Sequence, residues 1–116
     1  MERAITKILN NLGLKTNTKG YRYIRESLSL ILRNKYRHLS TTKDIYGTIA
    51  LRHQEKPTNV ERAIRYSIET MMNKGNFEYI FELFTLDRNK CKPSNSEFLY
   101  TIADYIEINK NKIALK

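Results

Sequence analysis

The chain has 116 residues, enough for one domain with its own core, and carries 21 Lys+Arg against 12 Asp+Glu, a formal net charge of +9. That excess favours an anionic partner, because basic side chains that neutralise phosphates release condensed counterions, although surplus lysine also serves solubility alone. No stretch has the length of a membrane span and the start Met1-Glu-Arg-Ala-Ile5 lacks the apolar core of a secretory signal. A cytoplasmic protein is therefore expected, and a single cysteine, Cys91, which cannot form an internal disulfide, fits a reducing compartment.

Glu2 to Leu12 places Ala4, Ile5, Ile8, Leu9 and Leu12 at helical spacing and stops at Gly13, with Leu14 set for the accompanying hydrophobic contact. Gly20 precedes a longer run in which Ile24, Leu28, Ile31 and Leu32 share a face. Tyr21 and Tyr23 at its start read as core rather than as stacking partners, and Lys19, Arg22 and Arg25 as a solvated face. Ser40-Thr-Thr-Lys-Asp44 offers hydroxyl caps and an early acid to a helix that buries Ile45, Ile49 and Ala50 and ends near His53. The connection Gln54-Glu-Lys-Pro57 has helix-turn-helix length, without the glycine often found at such a corner.

Pro57, with fixed φ and no N–H, suits the first turn of the next helix, which Lys56 or Thr58 opens; Gly75, after Asn73 and Lys74, predicts a left-handed stop. Between them Val60, Ala63, Ile64, Ser67, Ile68, Met71 and Met72 form one apolar face, so Glu61, Arg62, Arg65, Tyr66 and Glu69 point away from the core. Asn76 is placed to cap a short helix burying Phe77, Ile80, Phe81 and Phe84. Asn95, between Ser94 and Ser96, is placed to cap a last helix carrying Phe98, Leu99, Ile102, Ala103 and Ile106. Leu86 to Pro93 reads as an irregular loop and residues 109–116 as a frayed basic tail. With four glycines, two prolines and no sustained alternation, the expected fold is all-α: a compact six-helix domain over residues 1–108, with a helix-turn-helix at about 41–74.

The chemistry follows from the outward residues of the helix at 58–74. An arginine fork donates two hydrogen bonds to guanine O6 and N7, and a glutamate accepts from the cytosine amino group, so Glu61, Arg62 and Arg65 are the candidate base readers of duplex DNA. Arg65 has a phosphate as its other target. Lys56, Arg52 and Lys74 are placed to position the DNA backbone, with Asn59, Tyr66 and Lys92 as further backbone candidates. A bland reading competes: Glu61 and Arg65 are four apart with the acid first, which a surface ion pair worth about 0.3 kcal/mol explains without DNA. His38 and His53 lack a ligand cluster at metal spacing, Cys91 has no activating base, and no phosphate loop or nucleophile motif is present, so neither cofactor, metal nor enzymatic activity is expected.

Four segments in the same order, Lys19-Gly-Tyr-Arg-Tyr-Ile-Arg-Glu26, Val60-Glu-Arg-Ala-Ile-Arg65, Gly75-Asn76 and Lys92-Pro-Ser-Asn-Ser-Glu-Phe98, resemble a known family over about residues 4 to 107. It is the C-terminal DNA-binding effector domain of the master sporulation response regulator of endospore-forming Firmicutes. The resemblance implies six helices, with the helix at 58–74 in the major groove, Glu61 and Arg62 approaching base edges, Arg65 as the second arginine of the motif and Thr58 as a phosphate or base-edge contact. Asn59 stands where the family has arginine, Tyr66 where it has histidine, and Met72-Asn-Lys74 where it has Trp-Ser-Arg, which implies a box related to the family's TGTCGAA-like sequence with altered flanking preference.

In that family a receiver domain precedes this module, and nothing in these residues forms one; the chain is either a fragment or a free-standing effector, and the opening at Met1 leans toward the second. Residues 1–38 hold nine Lys/Arg against two acids, whereas residues 76–107 hold three against six, so the C-terminal unit is the candidate surface for protein contact. Self-association on tandem sites and contact with RNA polymerase stand as open expectations, beside double-stranded DNA and without a membrane partner. Alternative readings are a protein-interaction module or antagonist of a larger regulator, and a plasmid or phage replication or segregation factor.

Overall fold

A computed structural model describes residues 2–34, 39–84 and 92–115, with the backbone alone at residues 42 and 110–115. In chain order it contains α1 (Glu2–Leu12), α2 (Lys19–Arg33), a π-helical turn (Thr41–Tyr46), α3 (Gly47–His53), α4 (Pro57–Lys74), α5 (Phe77–Phe84) and α6 (Asn95–Leu115). Among the described residues there is no strand, and the all-α expectation holds.

Local sequence accounts for most of the element ends. Gly13 takes φ 89°, and the turn closes with Leu14 N–H donating to the Leu9 carbonyl at 3.2 Å while Leu14 is buried, the glycine-ended stop that the sequence predicts. Thr18 caps α2 by accepting from Tyr21 N–H at 3.1 Å, which puts Gly20 inside the helix rather than ahead of it. Asn76 caps α5 through Tyr79 N–H at 3.3 Å.

The entry to the helix-turn-helix departs from a simple α-helical start. Both Asp44 N–H and Ile45 N–H donate to the Ser40 carbonyl, the second across five residues, and this wide turn carries the acid one position past the usual capping-box site. Asp44 still reaches back to accept from Ser40 N–H at 2.8 Å, and Ser40 Oγ accepts from Lys43 N–H at 3.3 Å.

Two further expectations are corrected. Gly75 is not left-handed: its φ is −84°, and its N–H donates to the Met71 carbonyl at 2.7 Å. Its glycine character serves close approach instead, since an added Cβ would lie 2.5 Å from the Leu12 carbonyl oxygen. Phe77 and Phe81 are about half exposed and stack on each other at 6.4 Å; α5 turns only Ile80 fully inward, with Phe84 half-buried against Phe98 at 5.4 Å. α6 is helical through Leu115, with no glycine or proline after Pro93 to stop it. The expected loop at 86–93 lies, up to Cys91, outside the described residues, as do Cys91 and His38.

The core is one cluster drawn from every helix, with Ile5, Leu9, Ile24, Leu28, Ile45, Ile49, Ile64, Met71, Phe98 and Ile106 fully shielded; Tyr21 and Tyr23 belong to it, as expected. α2 is its axis, packing on α4 along one side and α6 along another. At the α2–α4 crossing a Cβ on Gly20 would lie 2.4 Å from the Ala63 carbonyl oxygen and 1.9 Å from Ser67 Oγ, so the backbones meet closer than any other residue permits. This crossing sets how far α4 stands out from the body.

Candidate nucleic-acid interface

The corner that aims α4 is built without glycine. Gln54 takes φ 54° and ψ 45°, the left-handed conformation, and Glu55 N–H donates to the Ala50 carbonyl at 2.8 Å to close α3. Glu55 then receives Asn59 Nδ2 at 3.0 Å and Lys19 Nζ at 3.8 Å, which ties α2, the corner and α4 together. Those partners, the Asn59 hydrogen bond first and the Lys19 charge next, hold the Glu55 carboxyl below its ordinary range.

α4 begins at Pro57 with Lys56 as its N-cap, and no side chain caps it. Lys56, Pro57, Thr58 and Asn59 are all exposed. The positive end of the helix dipole and the Lys56 ammonium therefore share one open surface, a place suited to a phosphate.

Along α4 each residue advances about 100°. Val60, Ile64, Ser67, Ile68 and Met71 form the buried face, which leaves Thr58, Glu61, Arg62, Arg65 and Glu69 on the outer one. Ala63 and Met72, placed on the apolar face by the sequence, are half-buried at its margins. Glu61 and Arg65 form the ion pair anticipated from their spacing, Oε1 to Nη1 at 2.6 Å, with Arg65 half exposed. One turn on, Glu69 accepts from Lys92 Nζ at 2.9 Å; that hydrogen bond, then the lysine charge and then Arg65, lower the Glu69 carboxyl below its usual range. Arg62, about 100° round the helix from Glu61, is exposed, and no ion pair or hydrogen bond to another described residue engages it. Tyr66 is 71% exposed beside it on the same helix.

Besides Asn59, two of the backbone candidates are engaged with carboxylates. Lys92 holds Glu69, and Arg52 Nη1 lies 3.2 Å from Glu26 Oε1. The second Glu26 oxygen meets His53 Nε2 at 2.6 Å, while the His53 ring packs edge-on to Tyr23 at 5.2 Å, so the end of α3 is anchored to α2. Among the described residues no group of three or more His, Cys, Asp or Glu is arranged to hold a metal, and no helix is long and apolar enough to cross a membrane.

The sequence misplaces one role and misses another. The cap of α6 is Ser94, not Asn95: Ser94 Oγ accepts from Glu97 N–H at 3.1 Å and Glu97 Oε1 accepts from Ser94 N–H at 3.1 Å, a reciprocal capping box. Its Ser-x-x-Glu spacing is legible in the chain. Asn95 is thereby released, and its Nδ2 donates to the Tyr46 hydroxyl and to the Glu61 carbonyl, each at 3.0 Å. Burial raises the Tyr46 phenol above its ordinary range, the Asn95 hydrogen bond partly offsetting it, and the nearby Glu61 charge adds to the rise. Partners separated by 49 and 34 residues leave no mark in local spacing.

The geometry is thus an uncapped helix start, a free arginine flanked by an ordered Glu–Arg pair, and a helix-turn-helix corner bolted to α2. Comparison with known families agrees with it. The family model described as "Sporulation initiation factor Spo0A C terminal" matches residues 5–106, nearly the whole chain. The chain belongs to the family of Spo0A C-terminal domains of sporulation initiation factors.

Proposed function

We propose that the protein is a sequence-specific duplex-DNA-binding transcriptional regulator that lays α4 in the major groove. Membership in a family of DNA-binding response-regulator effector domains supplies the class. The observation that carries the finer reading is Arg62, an exposed cation on the outer face of α4 without a carboxylate partner among the described residues. Its fork is free to meet guanine O6 and N7, and Glu61, held in one orientation by Arg65, accepts from a cytosine amino group on a neighbouring base pair. Arg65 then reaches the next base or a phosphate. Lys56, Thr58, Asn59 and Tyr66 flank the reading residues on the backbone side, while Arg52 and Lys92 contribute less because Glu26 and Glu69 already offset their charge.

Selection of bound duplexes from a random pool gives the box, and Arg62→Ala then tests the reader. It is expected to weaken binding to the selected duplex by about 1–3 kcal/mol and to relax discrimination at one base pair. Equal affinity of variant and parent for that duplex sinks the assignment. Paired boxes at a fixed spacing in the same selection are the expected mark of self-association.

The exposed Phe77–Phe81 pair favours a second reading, a protein-interaction module. Binding to random duplex across salt concentration separates the two: a DNA binder loses affinity steeply on a log-log plot, and an interaction module shows almost no slope.

A further inference from the structure

We propose that Asn95 is a positioning residue for base reading, holding α4 at the level of Glu61 so that the carboxylate meets its base. The proposal rests on the DNA reading above. Three observations carry it. Helix capping does not require Asn95, since Ser94 and Glu97 already satisfy each other's backbone N–H. Both Nδ2 hydrogens of Asn95 are committed across elements, one to Tyr46 on the π-helical turn and one to the Glu61 carbonyl on α4. The bond to Glu61 falls on the main chain of a residue whose side chain faces outward in a 2.6 Å pair with Arg65.

The consequence is mechanical. A carbonyl inside a helix already accepts from the N–H four residues on, so a second donor from outside pulls at one point and sets the local height and rotation of the helix. Glu61 and Arg65 line, with Thr41, Tyr46 and Lys92, an open recess of about 390 Å³ between α4 and the start of α6, and Asn95 spans its wall. A shift of α4 there changes the reach of Glu61 first. Arg62 lies about 100° round the helix from Glu61 and does not line the recess.

Asn95→Asp separates positioning from a role in helix stability. Asp keeps the size of Asn and is favoured in the first turn of a helix, so α6 is retained or strengthened. It turns an acceptor toward the Glu61 carbonyl, so the tie to α4 is lost, while Tyr46 can still donate to it. The measurement is the affinity ratio between the selected duplex and one altered at the base pair where Glu61→Ala loses discrimination. Loss of one hydrogen bond is expected to lower that ratio about fivefold, and the added negative charge cancels because it weakens both duplexes alike. The ratio at the base pair read by Arg62 stays unchanged, and in a Glu61→Ala background Asn95→Asp lowers neither ratio further. Asn95→Ala, which removes the amide donor without adding a charge, is expected to lower the same ratio and serves if Asn95→Asp unfolds.

Ratios unchanged in Asn95→Asp, or lowered equally at both base pairs, overturn the positioning role and leave the DNA reading intact. A parent protein that prefers no duplex in the selection overturns the DNA reading, and the proposal with it.

Discussion

Gly20 is the residue whose identity the geometry constrains most tightly. Alanine is the better helix former by up to about 1 kcal/mol, so propensity alone favours Gly20→Ala. The crossing opposes it, because the new methyl would meet Ser67 Oγ at 1.9 Å and the Ala63 carbonyl oxygen at 2.4 Å. Ser67 can rotate away, but the Ala63 oxygen belongs to the backbone of α4 and can yield only if the helix moves. Overpacking of this kind costs about 1–3 kcal/mol, so Gly20→Ala is expected to lower the urea midpoint. An unchanged or raised midpoint would contradict the close crossing. Gln54 carries the opposite lesson, since a non-glycine residue holds the left-handed corner at φ 54° through two backbone closures.

At the scale of elements, periodicity told which residues are apolar together but not how much of that face a neighbour would cover. α1, α2 and α4 were legible because each buries a wide stripe against the common core, and the caps at Ser40 and Asn76 need only nearby residues. Phe77 and Phe81 were misread because α5 faces the body with Ile80, Leu83 and Phe84 and turns the other two rings to solvent, a tertiary fact without a local signal. The candidate readers Glu61, Arg62 and Arg65 were legible as outward residues, and their pairing was legible from the four-residue spacing. The tie from Asn95 to α4 was not, because the bond joins segments 34 residues apart and a cap was the nearer explanation. The difference between aromatic residues is measurable. Phe98, fully buried against Phe84, is expected to cost about 3–5 kcal/mol on change to alanine. Phe81→Ala, at a half-exposed position, is expected to cost less than about 1 kcal/mol. Denaturant titration of the two variants distinguishes them, and equal losses would mean that α5 is buried as the sequence first suggested.

For the whole molecule, formal charge overstates what an anionic partner meets. The net charge is +9, yet Lys19, Arg25, Arg52, Arg65 and Lys92 each lie against a carboxylate. A phosphate that displaces such a carboxylate gains one attraction and forfeits another, whereas a phosphate at Lys56 meets an exposed ammonium that no carboxylate among the described residues engages, at the positive end of α4. Counterion release counts the phosphates neutralised, at about 0.9 in the log-log salt slope for each one in duplex DNA. Lys56→Ala is therefore expected to reduce the slope by about 0.9 and to weaken selected and random duplexes by the same factor, since a phosphate contact carries no base information. Lys92→Ala removes a charge that Glu69 already offsets and is expected to leave the slope nearly unchanged. Affinities measured between about 50 and 200 mM salt for both variants test the contrast, and a slope that falls as far for Lys92→Ala as for Lys56→Ala would show that DNA draws Lys92 away from Glu69.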